Sequence, residues 1–466
     1  MKLYAAPLDF RDIASEFGVP TDFAPELHEE ARRLGDACAD SRRDARDIAF
    51  VTIDPPGSMD LDQAVCIART ESGYTVFYAI ADVAAFVEGT DNRIKEESLK
   101  RGQTIYLPDE PARLHPEELS EGEASLLPDV DRPAVLWTFH LDEKAEVKGA
   151  HVERALVRSR ARFDYDEVQE AVDRGEVHAS ISMLAEVGRL RQESSERRNA
   201  INLRLPSVRV METEEGRFEL VIEPRHPVMD YNSEISLLTG MVAGQMMVDA
   251  GKGFLRTLGP AGEGAEAEFR TEVRNLGFTI GDDEEIGTFL ARIDADTPRG
   301  MAAMREAQKL LRGAGYIDLD EKAPEVHAGI GGYYSHVTAP LRRLIDRYAT
   351  EVCLAICAGT EVPEWVTDGA AEVVKTMQRT SQLANTVDRA CLNLTEATVL
   401  KPWVGQNFRA VVLKTESERD QSRIFVSDPP VLAPCLGQPE EGEETNVSLI
   451  RASVEEREVA FAWPAD

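Results

Sequence analysis

The stretch that decides the fold is TIDPPGSMDLDQ, residues 52–63. Its apolar, β-branched start predicts the end of a β-strand, and the Pro-Pro-Gly that follows predicts a tight turn. Three aspartates, Asp54, Asp60 and Asp62, stand in this stretch beside apolar neighbours. Like charges so close together repel strongly when they are partly removed from water. We therefore expect a cation among them, and we call residues 54–63 the acidic loop.

The ligand chemistry narrows the choice of cation. Carboxylate oxygens suit hard divalent ions, and Mg²⁺ is usually held by one or two carboxylates together with water and a substrate phosphate. A calcium loop of the EF-hand type does not fit, because Ala64 and Val65 stand where an oxygen ligand and the turn glycine would be needed. A purely structural interpretation stays open, since aspartate after Gly-Ser is also common in turns.

Outward from the acidic loop, the pattern divides the chain into three parts. Residues 1–45 predict a short helical segment, either two packed helices or a helix-turn-helix-like unit. Residues 46–398 combine β-rich runs, in the pattern of an antiparallel sheet, with helical spacing, which predicts one large α+β domain. Residues 399–466 hold short strands divided by Gly and Pro, which is typical of a small β-barrel. Helical spacing in the middle part is found at 165–174, 181–198, 235–250, 266–276, 300–314, 341–358 and 368–394.

The charge balance is the main objection to a nucleic-acid partner. The formal net charge is −32, whereas phosphate binding normally depends on Lys and Arg. The acidic residues are concentrated in runs such as 282–285 and 440–444, and the arginines cluster in 154–162, 189–204 and 342–347. Clustered arginines of this kind can form a basic channel for a single strand of nucleic acid while most of the surface repels it.

Other features restrict the class of protein. The start of the chain lacks a basic stretch followed by an apolar run, and no segment approaches the roughly 20 apolar residues that cross a bilayer. The 6 cysteines include no CxxC pair, so neither a zinc site nor a disulfide framework is expected. We expect a cytoplasmic monomer without a membrane or protein partner.

Two distant motifs resemble the ribonuclease II and ribonuclease R family, whose catalytic unit is the RNB domain. Residues 52–65 resemble its first signature, a Thr-Ile-Asp strand end followed by a loop with three more acidic residues. Residues 334–343, YSHVTAPLRR, resemble its second signature, usually a His-aromatic-Thr-Ser-Pro-Ile-Arg run. The stretches IADV at 80–83 and YLP at 106–108 follow in the family's order. The resemblance implies an RNB-type catalytic domain, with a mixed sheet surrounded by helices, followed by a small OB-fold RNA-binding barrel.

The resemblance also implies an activity. It is a 3′-to-5′ exoribonuclease that hydrolyses single-stranded RNA to nucleoside 5′-monophosphates in RNA turnover or processing. The mechanism would use two Mg²⁺ ions, with Mn²⁺ as a substitute. The alternative is a catalytically weak RNA-binding or regulatory protein on the same fold. The family's usual pair of N-terminal cold-shock barrels is not expected here, because a short segment precedes the first signature.

The acidic loop supplies the implied catalytic and metal-binding residues. Asp54, Asp60 and Asp62 match the family's carboxylate positions, and Asp62 matches the one on which cleavage depends most. Gln63 stands where most members carry a fourth acidic residue. A glutamine carbonyl can coordinate a hard cation but brings no charge, so we expect Gln63 to bind metal more weakly.

The second signature supplies an implied phosphate contact. Arg342 matches an arginine that clamps the terminal phosphates and stabilises developing negative charge, and Arg343 stands beside it. The alternative for Arg342 is a surface ion pair with Asp346 at i, i+4. Tyr106 matches a ring that stacks on the last bases, although a core or turn role stays open.

The remaining implied RNA contacts lie further along the chain. Asp388 and Arg389 lie close to the sequence position of the family's acidic-arginine pair, which helps to recognise the terminal ribose. Phe408 begins the predicted barrel and, together with Phe425 and Lys414, is a candidate to face a strand of RNA. The competing interpretation is that the barrel's aromatic residues form its core.

Overall fold

A computed structural model describes residues 8–88, 92–197, 200–205, 207–213, 215–222, 225–311, 313–416 and 420–465. The first residues of the predicted helical segment, 1–7, lie outside this description. The segment then forms helices α1 (Arg11–Glu16) and α2 (Pro25–Ala31). A helix-turn-helix joins its helices through roughly 3–4 residues, so the longer connection at 17–24 favours simple packing. Helix α1 indeed packs on the long C-terminal helix described below.

A mixed sheet of six strands forms the centre of the large domain. Consecutive strands from the second to the sixth are antiparallel neighbours, while the sixth also runs parallel to the first and second. The sixth strand pairs with the fifth through residues 147–158 and with the second through 159–164, so the pairings close on themselves. The strands are β1 (Arg43–Asp44), β2 (Phe50–Asp54), β3 (Gln63–Thr70), β4 (Gly73–Ala81), β5 (Asp131–Asp142) and β6 (Val147–Asp164).

Helices cover this sheet, as the sequence predicts. Strand β4, GYTVFYAIA, is buried along nearly its whole length, which is the pattern of a strand covered on both faces. The helices are α3 (Ala84–Val87), α4 (Arg93–Arg101), α5 (Tyr165–Arg174), α6 (Leu184–Arg197), α7 (Pro227–Ala250), α8 (Glu263–Asn275), α9 (Ile286–Arg292), α10 (Pro298–Ala307), α11 (Leu344–Ala358) and α12 (Glu364–Leu400).

Helix α11 lies at the centre of the packing, between β6, α7 and α12. It is buried on nearly every side, so its charged residues need partners inside the protein. Two short antiparallel pairs complete the domain. They are β7 (Val208–Glu212) with β8 (Phe218–Ile222) and β9 (Phe254–Thr257) with β10 (Gly315–Asp318).

The C-terminal part is a closed five-stranded barrel, which confirms the predicted OB-like module. Its strand order is β11-β12-β13-β15-β14. Alternate residues such as Val447, Leu449 and Phe461 fill the interior at 0% exposure. The strands are β11 (Asn407–Glu416), β12 (Gln421–Ser427), β13 (Pro430–Leu436), β14 (Glu444–Ser453) and β15 (Glu458–Ala462).

Two further observations bear on the sequence-based expectations. The six cysteines are all free thiols, three of them buried. Among the described parts of the chain, no helix combines the length and apolar character that spanning a membrane demands.

Candidate active site

The acidic loop leaves β2 and enters β3 with its aspartates on one side. Asp54 ends β2, and Gly57 then takes a left-handed φ of 82°, which glycine adopts without strain. Leu61 is fully buried in the core, whereas Asp60 and Asp62 on either side of it line a common cavity. The Leu61 amide donates to Ser125 Oγ at 3.0 Å, and this hydroxyl donates to the Met59 carbonyl at 2.6 Å. These bonds hold the loop in its bent form.

Residues 338–343, which we call the arginine turn, precede α11. Asp346, in the first turn of α11, is fully buried. It accepts hydrogen bonds from the Ala339 amide at 2.6 Å and from Nε and Nη2 of Arg343, both at 2.9 Å. One buried carboxylate therefore fixes both ends of the turn, and the side chain of Arg342 between them is left 42% exposed.

The acidic loop and the arginine turn contact each other directly. The Leu341 amide donates to Asp62 Oδ1 at 2.8 Å, across 279 positions of sequence. Arg342 Nε lies 3.8 Å from Asp62 Oδ2. The amide nitrogen of Gln63 donates to the Thr338 carbonyl at 2.7 Å. Two segments that only the fold can join thus form one site.

A cavity of about 560 Å³ opens over this junction, and we call it the candidate cavity. Its volume lies within the usual range of small-molecule sites. Tyr106, 52% exposed, stands on its wall. A larger cavity of about 720 Å³ shares Ser233 with it but is lined by none of the predicted site residues. The predicted residues that line the candidate cavity are Asp54, Asp60, Asp62, Gln63, Tyr106, Arg342 and Arg343.

The aspartates carry the electrostatic strain that the sequence predicts. Burial, reinforced by the charge of Asp60, raises the pKa of Asp54 to about 7. Burial also raises the pKa of Asp60, and it raises that of Asp62 well above its usual range although Arg342 opposes the shift. Asp54 Oδ2 is buried and has no hydrogen-bond partner among the described residues. A cation at this oxygen would relieve both the repulsion and the missing contact.

The donor set fits a sparsely coordinated hard cation rather than a closed metal site. Within the described ranges, no group of three or more His, Cys, Asp or Glu side chains is arranged to hold a metal ion. Mg²⁺ commonly takes only one or two protein carboxylates and completes its shell with water and substrate phosphate. Asp54, Asp60 and Asp62, which line the same cavity, are compatible with that mode.

The predicted phosphate contact of Arg342 has a clear structural setting. The alternative ion pair between Arg342 and Asp346 is wrong, because Asp346 is occupied by Arg343. Arg342 therefore presents its guanidinium to the candidate cavity. Arg343 also reaches the wall, but its side chain is only 16% exposed and is bound to Asp346. Its RNA contact stays a prediction.

The remaining predicted RNA contacts lie away from the candidate cavity. Asp388 and Arg389 are exposed on α12 and do not line it. Phe408 packs on the barrel residue Phe461, with ring centroids 5.8 Å apart. Phe425 is 5% exposed in a small apolar cluster. The structure therefore gives the barrel aromatics a packing role, and their RNA contacts stay predictions.

Sequence reasoning missed part of the cavity wall. Tyr165, the first residue of α5, lines it and accepts a hydrogen bond from Asn232 Nδ2 at 3.3 Å. Ser233 and Ser236 lie near Asn232 on α7 and line the cavity as well. The available signal was the polar patch that these three residues form at helical spacing, ahead of the mostly apolar later part of the helix.

The protein consists of a mixed α+β domain, which contains the candidate cavity, followed by a five-stranded barrel. Residues 42–356 match the model of the RNB domain, and residues 406–463 match that of the RNase II-type exonuclease C-terminal S1 domain. The first match covers more than half of the chain. The protein therefore belongs to the RNB family.

Individual relatives agree with this assignment. Ribonuclease R of Chlamydia trachomatis is 24% identical over 432 residues, which cover 89% of this chain and 61% of that relative. Mycoplasma genitalium RNase R in complex with ribose methylated single-stranded RNA has a TM-score of 0.86 at 17% identity, over 97% of this chain and 77% of that one. Yeast Ssd1, a pseudonuclease, has a TM-score of 0.69 at 15% identity, over 93% and 54%. The two structures share the fold of this chain.

Proposed function

We propose that this protein is a cytoplasmic exoribonuclease that removes nucleoside 5′-monophosphates from the 3′ end of single-stranded RNA, in RNA turnover or processing. The observation that carries the proposal is the contact between Asp62 and the arginine turn at one cavity, where three aspartates face an exposed arginine. Ribonuclease R relatives, and the RNA complex of one of them, support RNA as the substrate. The 3′-to-5′ direction rests on the family resemblance.

Within this proposal, the aspartates bind Mg²⁺, or Mn²⁺ in its place. Asp54, Asp60 and Asp62 would hold the ions, and Asp54 Oδ2 is free of competing hydrogen bonds from described residues. When bound, Mg²⁺ supplies positive charge against the phosphate and the acidity that activates water for hydrolysis. Asp62 has a second task, because its other oxygen holds the Leu341 amide and so fixes where Arg342 lies.

Arg342 and Tyr106 position the substrate. The planar guanidinium of Arg342 can contact two phosphate oxygens and stabilise the charge that develops on them. Tyr106 offers an exposed ring on the same cavity, on which a base can stack whatever its identity. Together they would hold the terminal nucleotide with its phosphodiester beside the aspartates.

The test is RNA shortening by the purified protein. We expect 5′-labelled single-stranded RNA with Mg²⁺ to yield a ladder that shortens from the 3′ end, with mononucleotide products. Asp62→Asn is the matched control, because an asparagine carbonyl can still accept from the Leu341 amide while the charge is lost. RNA with terminal deoxyriboses tests whether the substrate must be RNA. Full-length RNA after incubation in both Mg²⁺ and Mn²⁺ would reject the proposal.

A catalytically weak RNA-binding or regulatory protein is the second candidate. Two observations favour it: Gln63 uses its amide for bonds within the protein, and the same fold occurs in yeast Ssd1, a pseudonuclease. The RNA-shortening assay separates the two candidates. Tight binding of single-stranded RNA without shortening would support this second function.

A further inference from the structure

The side chain of Gln63 makes three hydrogen bonds to three different parts of the domain. Its amide nitrogen donates to the Thr338 carbonyl at 2.7 Å. Its carbonyl oxygen accepts from the Tyr78 hydroxyl on β4 at 2.5 Å and from Ser236 Oγ on α7 at 3.3 Å. Gln63 is the first residue of β3 and directly follows Asp62. A single side chain therefore connects the acidic loop, the arginine turn, the sheet and α7.

These bonds lie in a shielded environment. Tyr78 is 1% and Thr338 is 4% exposed. A buried hydrogen bond is stronger than one in water, and a buried polar group without its partner is costly. These three hydrogen bonds also require an amide side chain, because residue 63 must donate to one group and accept from two others. An ionised carboxylate can only accept and would oppose the Thr338 carbonyl.

The contact to Thr338 complements the contact between Asp62 and Leu341. Both bonds run from adjacent residues of the acidic loop to the arginine turn, at its first residue and near its end. Two attachment points fix the orientation of a short segment, where one would leave it free to rotate. Arg342, between Leu341 and the Asp346-bound Arg343, thereby receives a defined position over the cavity.

We propose that Gln63 is a positioning residue that holds the arginine turn against the acidic loop, rather than a ligand of the metal ion. The inference rests on the proposed nuclease function as far as catalysis is concerned. The attachment itself can be measured without RNA. In this chain an acidic residue at position 63 would weaken the attachment of the arginine turn to the acidic loop. Most members of the family carry an acidic residue at this position.

The first test is Gln63→Glu, which keeps the size of the side chain and its acceptors but removes the donor to Thr338. We expect the backbone amides of residues 337–339 and 341–343 to exchange with deuterium about tenfold or more faster than in the wild type, without RNA or metal. Gln378→Glu is the matched control. Gln378 also donates its amide to a backbone carbonyl, that of Tyr316 at 3.2 Å, but does not line the cavity. Unchanged exchange at 337–343 in Gln63→Glu would overturn the proposal.

The second test separates positioning from metal binding. With single-stranded RNA and saturating Mg²⁺, Gln63→Glu should lower kcat about tenfold or more, with RNA affinity unchanged. A lower half-saturating Mg²⁺ concentration together with an undiminished kcat would instead identify residue 63 as a ligand and overturn the proposal, since a carboxylate beside Asp62 attracts the cation even without coordinating it. If the wild-type protein left RNA intact, the proposed nuclease function would be wrong. The exchange experiment would still show whether Gln63 holds the arginine turn against the acidic loop.

A third measurement covers the case in which Gln63→Glu does not fold. Tyr78→Phe removes the hydroxyl that donates to the Gln63 carbonyl and leaves the Thr338 contact in place. We expect exchange at residues 337–343 to rise about two- to fivefold, less than for Gln63→Glu, because the amide then loses one of its supports. Exchange equal to that of the wild type would contradict the proposal.

Discussion

In the candidate cavity, Asp54 keeps a buried oxygen without a described hydrogen-bond partner, and Arg342 keeps 42% of its side chain exposed. In the C-terminal barrel, Lys414 lies within 3.1 to 3.7 Å of three glutamate side chains, and Phe408 packs on Phe461. Both regions were candidates for RNA binding on residue type. The two regions differ in whether these side chains already have partners. Lys414 and Phe408 in the barrel have partners within the protein, whereas Asp54 and Arg342 in the cavity can still bind a cation and a phosphate.

The largest effect should come from removing the charge of Asp62. We expect Asp62→Asn to lower kcat on the order of 10⁴-fold, the scale on which single catalytic carboxylates act. RNA affinity should stay within about twofold, because the asparagine carbonyl can still hold the Leu341 amide. Single-turnover cleavage and filter binding measure the two quantities. Cleavage close to the wild-type rate would remove Asp62 from the chemistry and erase the contrast with the barrel.

Substitutions of the two neighbouring arginines should affect different properties, stability for Arg343 and catalysis for Arg342. Arg343→Ala leaves the buried Asp346 without its cation and should lower the free energy of unfolding by about 3–5 kcal/mol. Arg342→Ala should leave that free energy within about 0.5 kcal/mol, because the side chain is exposed. It should nevertheless lower kcat/KM by roughly 10². Urea unfolding and steady-state kinetics on both variants test this, and equal losses of stability would contradict it.

Aromatic residues offer the same comparison between the two regions. Tyr106→Ala should weaken RNA binding by about 1–3 kcal/mol, the usual value of one stacked base, with little change in stability. Phe408→Ala should instead lower the free energy of unfolding by about 2 kcal/mol through lost packing and leave RNA affinity unchanged. Equilibrium binding and urea unfolding distinguish them. Weaker binding by Phe408→Ala without destabilisation would give the barrel an RNA-contacting face.

The smallest effect should be that of Lys414→Met. The change removes one cation from among Glu272, Glu306 and Glu441, so the free energy of unfolding should fall by about 1 kcal/mol. RNA affinity should not change, since these carboxylates already occupy the ammonium group. Thermal unfolding and equilibrium binding at the same ionic strength provide the measurement. A loss of RNA affinity at constant stability would show that Lys414 reaches the nucleic acid.

Much of the architecture was predictable because periodicity is a local property. Helical spacing at 341–358 and 368–394 corresponds to α11 (Leu344–Ala358) and α12 (Glu364–Leu400). The strand that ends at Asp54 and the closed C-terminal barrel were also predicted. Helix α7 was predicted from residue 235 but begins at Pro227. Asn232 and Ser233, two polar residues of the cavity wall, lie in the part that was not predicted and interrupt the apolar pattern there.

The candidate site was predictable as a set of residue types and less so as a set of contacts. Asp54, Asp60, Asp62, Tyr106 and Arg342 line one cavity, as the paired motifs suggested. The ion pair with Asp346, which was the alternative role for Arg342, is formed by Arg343 instead, the residue that directly precedes α11. Asp388 and Arg389, placed by a loose match along a long helix, lie outside the cavity.

The sequence by itself determined the RNB family, the order of a mixed α+β domain and a barrel, and the identity of the charged residues, since each follows from local pattern and residue chemistry. Only the tertiary structure decided which groups have partners. The bonds from Gln63 to Thr338 and from Asp62 to Leu341 join segments separated by 275 and 279 positions. Such contacts depend on how the whole chain packs. The sequence alone does not show which buried polar groups find a hydrogen-bond partner, because folding brings the partners together.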